Sequence, residues 1–217
     1  MCLASQQGGM VPGVQTDDLL LLIISSPSGA GKTTLTRRLL QQFPDLTFSV
    51  SHTTRKPRAT EVEGKDYYFT TRKVFQTMIS EGAFAESAEV HGNLYGTCIT
   101  EIDRARTEGK RGILFDVDYQ GARQIKSKFP NALSVFILPP NLGELERRLR
   151  GRAQDDEETI ALRYQKAKDE IEHYGFFDYV IVNDELNEAN ARLCGVVYAE
   201  RCRRWRMAPA AEMLLRE

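Results

Sequence analysis

Ser26-Pro-Ser-Gly-Ala-Gly-Lys-Thr33 follows an apolar run and opens a stretch with helical spacing. It matches the pattern G-x-x-x-x-G-K-[ST], except that Ser26 stands at the first glycine. Gly29 and Gly31 let backbone N–H groups converge on phosphate oxygens with no side chain in the way. Lys32 can reach the β- and γ-phosphates, the Thr33 hydroxyl can ligate Mg²⁺, and the helix N-terminus adds positive potential. Pro27, Ser28, Ala30 and Thr34 complete the contact surface. A Gly-rich turn with a surface lysine shares this composition. The strand–loop–helix context favours a nucleoside triphosphate site of the ATP type.

Such a site leaves the acceptor open. Ser51-His-Thr-Thr-Arg-Lys-Pro-Arg58 sets two arginines three apart on a loop pinned by Pro57. Arginine suits bidentate phosphate recognition. Glu61-Val-Glu-Gly-Lys-Asp-Tyr-Tyr-Phe69 follows, and its tyrosine hydroxyls can add donors to the same anion. Taken alone, Arg55 and Arg58 also fit a solvated basic loop. Phe84-Ala-Glu86 puts a carboxylate beside apolar residues, and Leu94-Tyr-Gly-Thr97 offers a phenol and a hydroxyl. A carboxylate accepts from guanine N1–H and the 2-amino group, while a hydroxyl donates to O6. Adenine has no 2-amino donor and no proton on N1, so it would leave polar groups of such a pocket unpaired. On spacing alone Glu86 is as readily an exposed strand glutamate. Ile113-Leu-Phe-Asp116-Val-Asp118 is an apolar strand ending in two carboxylates. Alternation points both to one side, at the C-terminal edge where α/β sheets bind ligands. Asp116 could support Mg²⁺ through its waters and Asp118 could face the acceptor, unless one of them is only a turn cap.

The elements that must position these groups are readable in outline. Leu19–Ser25 reads as a buried parallel strand, and Thr33–Gln42 as a helix with Leu35, Leu39 and Leu40 on one face. Thr47–Val50 and Tyr67–Phe69 are β-prone, Thr71–Ser80 is a helix stopped by Gly82, and Phe84–Val90 is a half-buried strand. Gly92-Asn-Leu-Tyr-Gly96 reads as a turn, followed by a helix to about Glu108 that Gly109 ends. Gly112–Val117 and Leu133–Leu138 are core strands around a helix at Gly121–Lys128. Asn141 and Glu144 form a capping box for a helix to Arg150. Residues 157–174 keep helical spacing, Tyr179–Val182 is a last strand, and a closing helix starts near Glu185. This alternation predicts a parallel sheet with crossovers. Residues 51–97 break the rhythm and read as an inserted lobe.

Composition narrows the field. Across 217 residues, 29 Lys+Arg oppose 30 Asp+Glu for a net charge of −1, which argues against a bulk polyanion partner such as nucleic acid. The longest apolar run, Leu19–Ile24, is too short to cross a bilayer, so no membrane partner is expected. The near-zero sum hides segregation: Lys32, Arg37, Arg38, Arg55, Lys56 and Arg58 face only Asp45 between positions 32 and 58. No Lys or Arg precedes Lys32, so no positively charged leader is expected. Residues 1–17 are polar and without period, and read as a disordered extension. Cys2, Cys98, Cys194 and Cys202 form no C-x-x-C pair, which fits free thiols in a reducing cytoplasm. The basic end Arg201-Cys-Arg-Arg-Trp-Arg206 reads as the wet face of a last helix.

The segments SSPSGAGKTTL, SVSHTTRKPR, EVEGKDYYF, FAE with HGNLYGT, ILFDVDYQG, VFILPP with LERRLRGR, and DYVIVND occur in this order over roughly residues 19–205. Together they resemble guanylate kinases. The resemblance implies an α/β fold: a three-layer, parallel-sheet P-loop kinase core (18–50 and 98–205) with an inserted mixed α/β GMP-binding lobe (51–97). It also implies a short helical lid at about 141–174, with 206–217 left as a C-terminal tail. The implied reaction moves the γ-phosphoryl group of ATP to GMP with Mg²⁺ as cofactor, and ATP and GMP as the partners; whether copies associate stays open. By position, Ser51, Arg55, Arg58, Tyr67 and Tyr95 are expected on the GMP phosphate, and Glu86, Thr97 and Asp118 on guanine. Lys32, Arg148, Arg152 and Arg163 are expected around the transferring group, Asn183 near the ATP adenine, and Thr33 and Asp116 at the metal. His52 and Thr97 stand where relatives can carry serine; Thr97 keeps the hydroxyl and His52 is expected to face away. The rival reading is a guanylate-kinase-like module that holds phosphopeptides without catalysis. Such modules typically lack the P-loop lysine and lid arginines that this sequence carries.

Overall fold

The apolar run Leu20–Ser25 (β1) lies at the centre of a sheet and is buried along almost its whole length. A computed structural model describes residues 19–90, 92–151 and 157–216. After β1 come α1 (Lys32–Gln42), β2 (Leu46–Phe48), β3 (His52–Thr53) and β4 (Tyr68–Phe69). Then follow α2 (Arg72–Ser80), β5 (Phe84–Val90), β6 (Asn93–Cys98), α3 (Thr100–Thr107) and β7 (Gly112–Asp116). The chain continues through α4 (Tyr119–Lys128), β8 (Leu133–Leu138), α5 (Leu142–Arg150) and α6 (Glu157–Ile171). It closes with β9 (Tyr179–Val182), α7 (Leu186–Arg201) and α8 (Arg204–Leu214).

Five strands pair in parallel in the order β2-β7-β1-β8-β9. Period-two alternation sorts their side chains into two cores. Leu20, Leu22, Ile24, Val135 and Ile137 pack with Leu35 and Leu39 of α1 and Leu193 and Val197 of α7. Ile23, Ile113, Phe115 and Phe136 pack on the other face with Ile102 of α3 and Ala122 and Ile125 of α4. The result is the expected three-layer α/β core. A second, mixed sheet of order β4-β3-β6-β5 interrupts it. That sheet buries its own cluster of Phe75, Phe84, Leu94 and Cys98, with Phe75 and Phe84 stacked at 4.4 Å.

The passage between the two sheets is tied by one carboxylate. Glu101 of α3 is buried, accepts the Val50 N–H at 2.7 Å, and takes a 3.4 Å bond from the Tyr68 hydroxyl. Arg104 pairs with it at 2.8 Å and also donates to the Phe48 carbonyl. The segment that leaves the core is thereby fastened to α3 and β4 together.

The sequence expectations need adjustment in several places, first at residues 93–98, expected as a turn running into a helix but paired with β5 as β6. The strand expected from Tyr67 begins at Tyr68, because Tyr67 lies in an isolated bridge with Glu63 and turns its ring toward Tyr95. The helix expected from Gly121 begins at Tyr119, since Asp118 caps it by accepting the Gly121 N–H at 2.9 Å. The helix expected to reach 174 ends at Ile171 in a 3₁₀ turn, Glu172–Phe176, where His173 stacks on Tyr119 at 3.7 Å. Residues set apart as a C-terminal tail are helical through Leu214, anchored by Arg206, which is buried beside Glu200 and over the Trp205 ring. The extension 1–17 lies outside the described residues.

Candidate active site

The phosphate loop connects β1 to α1. Gly29 and Gly31 adopt φ of +91° and +93°, a region that only glycine enters cheaply. Gly31 is the N-cap of α1, no side chain caps it, and the first turn holds no acid. The orphan N–H groups and positive end of the helix therefore face outward for an anion. Asn183, buried after β9, donates to the Ala30 carbonyl at 2.7 Å. A Cβ on Gly31 would lie 2.3 Å from Asn183 Nδ2. Gly31→Ala is therefore expected to displace Asn183 and strain the loop, raising the KM for ATP about tenfold or more. ATP titration alongside a thermal melt checks this, and an unchanged KM would refute it.

Lys32 pairs with Asp116, the last residue of β7, whose partner in register on β1 is Ile24. Thr33 and Thr34 are exposed at the start of α1. Beside them opens a cleft of about 400 Å³ lined by Gly29, Gly31, Thr34, Arg147, Arg148 and Asn183. Arg148 donates to Glu144 at 2.7 Å and to the Asn183 carbonyl at 3.2 Å, with Ala30 O at 3.5 Å. Arg147 and Arg148 together hold the Glu144 carboxyl down at about 2. Arg163 lies half-buried on α6, whose Ala167 packs with Leu145 and Leu149 of α5. Arg152 is outside the described residues. The Glu170 carboxyl of α6 is pushed up by burial, while Lys166, the Ser28 backbone and Lys32 pull it down and Asp118 adds to the rise.

Across the sheet edge, the second sheet supplies two groups of polar residues. Arg55 pairs with Glu61 at 2.8 Å and lies over the Tyr67 ring at 5.4 Å, with Tyr95 close enough to act on its charge. Arg58 gives its backbone N–H to Glu61, while its side chain is 76% exposed and lies 3.9 Å from the same carboxylate. The second group is a chain. Ser51 and Thr97 hydroxyls lie 2.9 Å apart, and Thr97 donates to Glu86 at 2.8 Å. Since Thr97 spends its proton on Glu86, Ser51 is the donor to Thr97. Ser51 belongs to this chain, and the Thr97 proton rests on Glu86.

Glu86 is buried, and burial pushes its carboxyl up to about 7 against the pull of Thr97, with Asp118 adding to the rise and Lys128 opposing it. Asp118 caps α4 and also raises the carboxyl of Glu86 by its charge. His52 lies beside Tyr68 and Phe84, 4.7 and 5.9 Å away by ring centroids.

With this geometry in hand, comparison with known proteins is decisive. The family profile described as guanylate kinase matches residues 19–200. The chain belongs to the guanylate kinase family. A guanylate kinase of Geobacter metallireducens is 50% identical over 188 residues, covering 87% of this chain and 92% of the relative. One of Myxococcus xanthus is 51% identical over 189 residues, covering 87% and 90%. The crystal structure of guanylate kinase from Anaplasma phagocytophilum is similar with a TM-score of 0.69 at 34% identity, covering 87% of this chain and 89% of that one.

Against the guanylate kinase motifs in the sequence, three acids emerge only from the structure. Glu61 holds Arg55 and Arg58 together, and its spacing from Arg58 was the one available hint. Glu101 bonds to Val50 and Glu170 feels the Ser28 backbone, both far away in sequence, and nothing local marks them.

Proposed function

We propose that this chain is an ATP:GMP phosphotransferase, giving ADP and GDP, with the five-stranded sheet as catalytic core, residues 51–97 as acceptor lobe and α5–α6 as lid. The observation that carries the reading is Glu86: a buried carboxylate, bonded to a hydroxyl, on the lobe across from a phosphate loop. A guanine gives it the N1–H and 2-amino donors it needs, and adenine leaves it unpaired. Arg55, Arg58, Tyr67 and Tyr95 grip the GMP phosphate, with Ser51 acting through Thr97. Thr97 and Asp118 complete base reading.

In the reaction a GMP phosphate oxygen attacks the γ-phosphorus and the bond to ADP breaks. That oxygen is already a nucleophile, so no side chain has to act as base. Residues 26–34 cradle the ATP phosphates, Asn183 sits by the adenosine end, and Lys32, Arg148, Arg152 and Arg163 place positive charge on the equatorial oxygens. Lid closure over the pair excludes water. Mg²⁺ fits this edge. Thr33 and, through water, Asp116 offer hard oxygens, while among the described residues no group of three His, Cys, Asp or Glu stands together. A cation shared with phosphates and water suits such a donor set. When bound, it neutralises charge on the transferring group.

A cytoplasmic location rests on the thiols of Cys98, Cys194 and Cys202, which form no disulfide among the described residues. No helix among the described residues is long and apolar enough to cross a membrane.

The test is ADP formation against GMP, AMP, CMP and UMP. GMP is expected to exceed the others by at least about 100-fold in kcat/KM. No GMP-dependent turnover would overturn the assignment and favour the phosphopeptide module. A pH prediction accompanies it. Guanine needs the ionised Glu86, whose carboxyl titrates at about 7, so the KM for GMP should rise as pH falls from 8 to 5.5. Below the titration point the rise is about tenfold per pH unit. A flat KM for GMP over that range would refute it.

A further inference from the structure

The position of Glu86 depends on a strand that is irregular at that point. Pairing of β5 with β6 shifts register between Phe84 and Glu86, and a bulge loosens the ladder where it occurs. β5 is also the edge strand of its sheet, so the outward N–H and C=O groups of alternate residues have no strand partner. Helix α4 of the core takes that place. The Gln124 amide accepts the Ser87 N–H at 2.9 Å and donates to the Ser87 carbonyl at 2.9 Å. One side chain thus pairs with both backbone groups of the residue after Glu86, as a neighbouring strand would.

Other residues along α4 complete the support. Three positions before Gln124, Gly121 lies under the carboxylate, where a Cβ would come 3.1 Å from Glu86 Oε2 and 3.0 Å from Val117 Cβ. Four positions after it, Lys128 donates to the Phe84 carbonyl. Spacings of three and four put Gly121, Gln124 and Lys128 on one helix face. The same helix begins at Asp118, so its first turns fix the separation between the two carboxylates assigned to the base.

We propose that Gln124 is a specificity-determining positioning residue. By fastening Ser87 to α4 it sets the place and orientation of the Glu86 carboxylate, so that preference for guanine over adenine depends on a core helix acting through the strand backbone. This rests on the reading of Glu86 as the base reader.

The test compares kcat/KM for GMP and for AMP in the unaltered chain, Gln124→Met and Gln124→Ser. Met keeps the length and cannot pair with Ser87; Ser leaves room for water to do so. In Gln124→Met the GMP-to-AMP ratio should fall about tenfold through the KM for GMP. The KM for ATP and the kcat at saturating GMP should stay within about twofold. Gln124→Ser should shift the ratio in the same direction and by less. An unchanged ratio in either folded variant overturns the proposal. So does a loss shared equally by GMP, AMP and ATP, which would mean general loosening. If the unaltered chain shows no preference for GMP, the reading of Glu86 itself fails, a result distinct from both.

Discussion

Lys32→Met is expected to lower kcat by about 1,000-fold while leaving the KM for GMP within a few-fold. Lys32 stands in the first turn of α1 and reaches Asp116 at the end of β7, which puts its ammonium at the sheet edge between the ATP cleft and the acceptor lobe. A loose phosphoryl-transfer transition state asks the protein mainly for fixed positive charge. Removing one preorganised donor from such a site costs roughly 100- to 1,000-fold. Methionine preserves the aliphatic stem and removes only the charge. Asp116 is partly exposed, so water can meet it once its partner is gone, and the fold should survive. Steady-state kinetics with both nucleotides varied, plus a melting curve, makes the measurement. A kcat near that of the unaltered chain would remove Lys32 from the chemistry.

Glu86→Gln separates recognition from folding. Glutamine can still accept the Thr97 proton through its carbonyl oxygen, so the chain Ser51–Thr97–86 persists. Its NH₂ group, however, meets the guanine donors with another donor. The expected result is a fall of about 1,000-fold in kcat/KM for GMP with little change for AMP. An unaltered GMP-to-AMP ratio would sink the assignment. Stability moves the other way. The carboxyl titrates at about 7 in the folded chain against an unshifted 4.5, so between those values the native state holds more protons than the unfolded one. Raising the pH through that window therefore lowers the stability of the unaltered chain. Glutamine has no proton to lose, so Glu86→Gln should gain in relative melting temperature between pH 5 and pH 8.

How much of this was legible depended on the range over which each signal acts. The phosphate loop and the central strands could be read because their determinants are local: two glycines at positive φ, a lysine and threonine opening a helix, and runs of Leu and Ile with no polar interruption. Tyr67 and Arg55 could be placed on one lobe, yet Glu61 as the clasp between Arg55 and Arg58 emerges only from the fold. Gln124 and Ser87 are 37 residues apart, and Glu101 and Val50 are 51 apart. No period or turn rule spans those distances; only the packing of lobe on core creates the contacts. Asp118 illustrates an intermediate case. Its type and position suggested both a cap and a site residue, and the geometry at the start of α4 allows both at once. The terminal helix was underestimated because its basic residues were read as solvent-facing, whereas Arg206 is buried beside Glu200.

The two halves of the site are built from separate side chains. The cleft beside the loop uses Gly29, Gly31, Thr34, Arg148 and Asn183. The lobe uses Arg55, Glu61, Tyr67, Tyr95, Thr97 and Glu86. No side chain belongs to both sets. That makes a kinetic statement about the order of arrival: either nucleotide can come first, and both must be present before the phosphoryl group moves. Initial-rate plots against one substrate at fixed levels of the other should intersect, and each product should inhibit competitively against the nucleotide whose cleft it shares. Parallel lines would mean a covalent relay through the protein, and strict ordering would mean that one cleft helps to build the other.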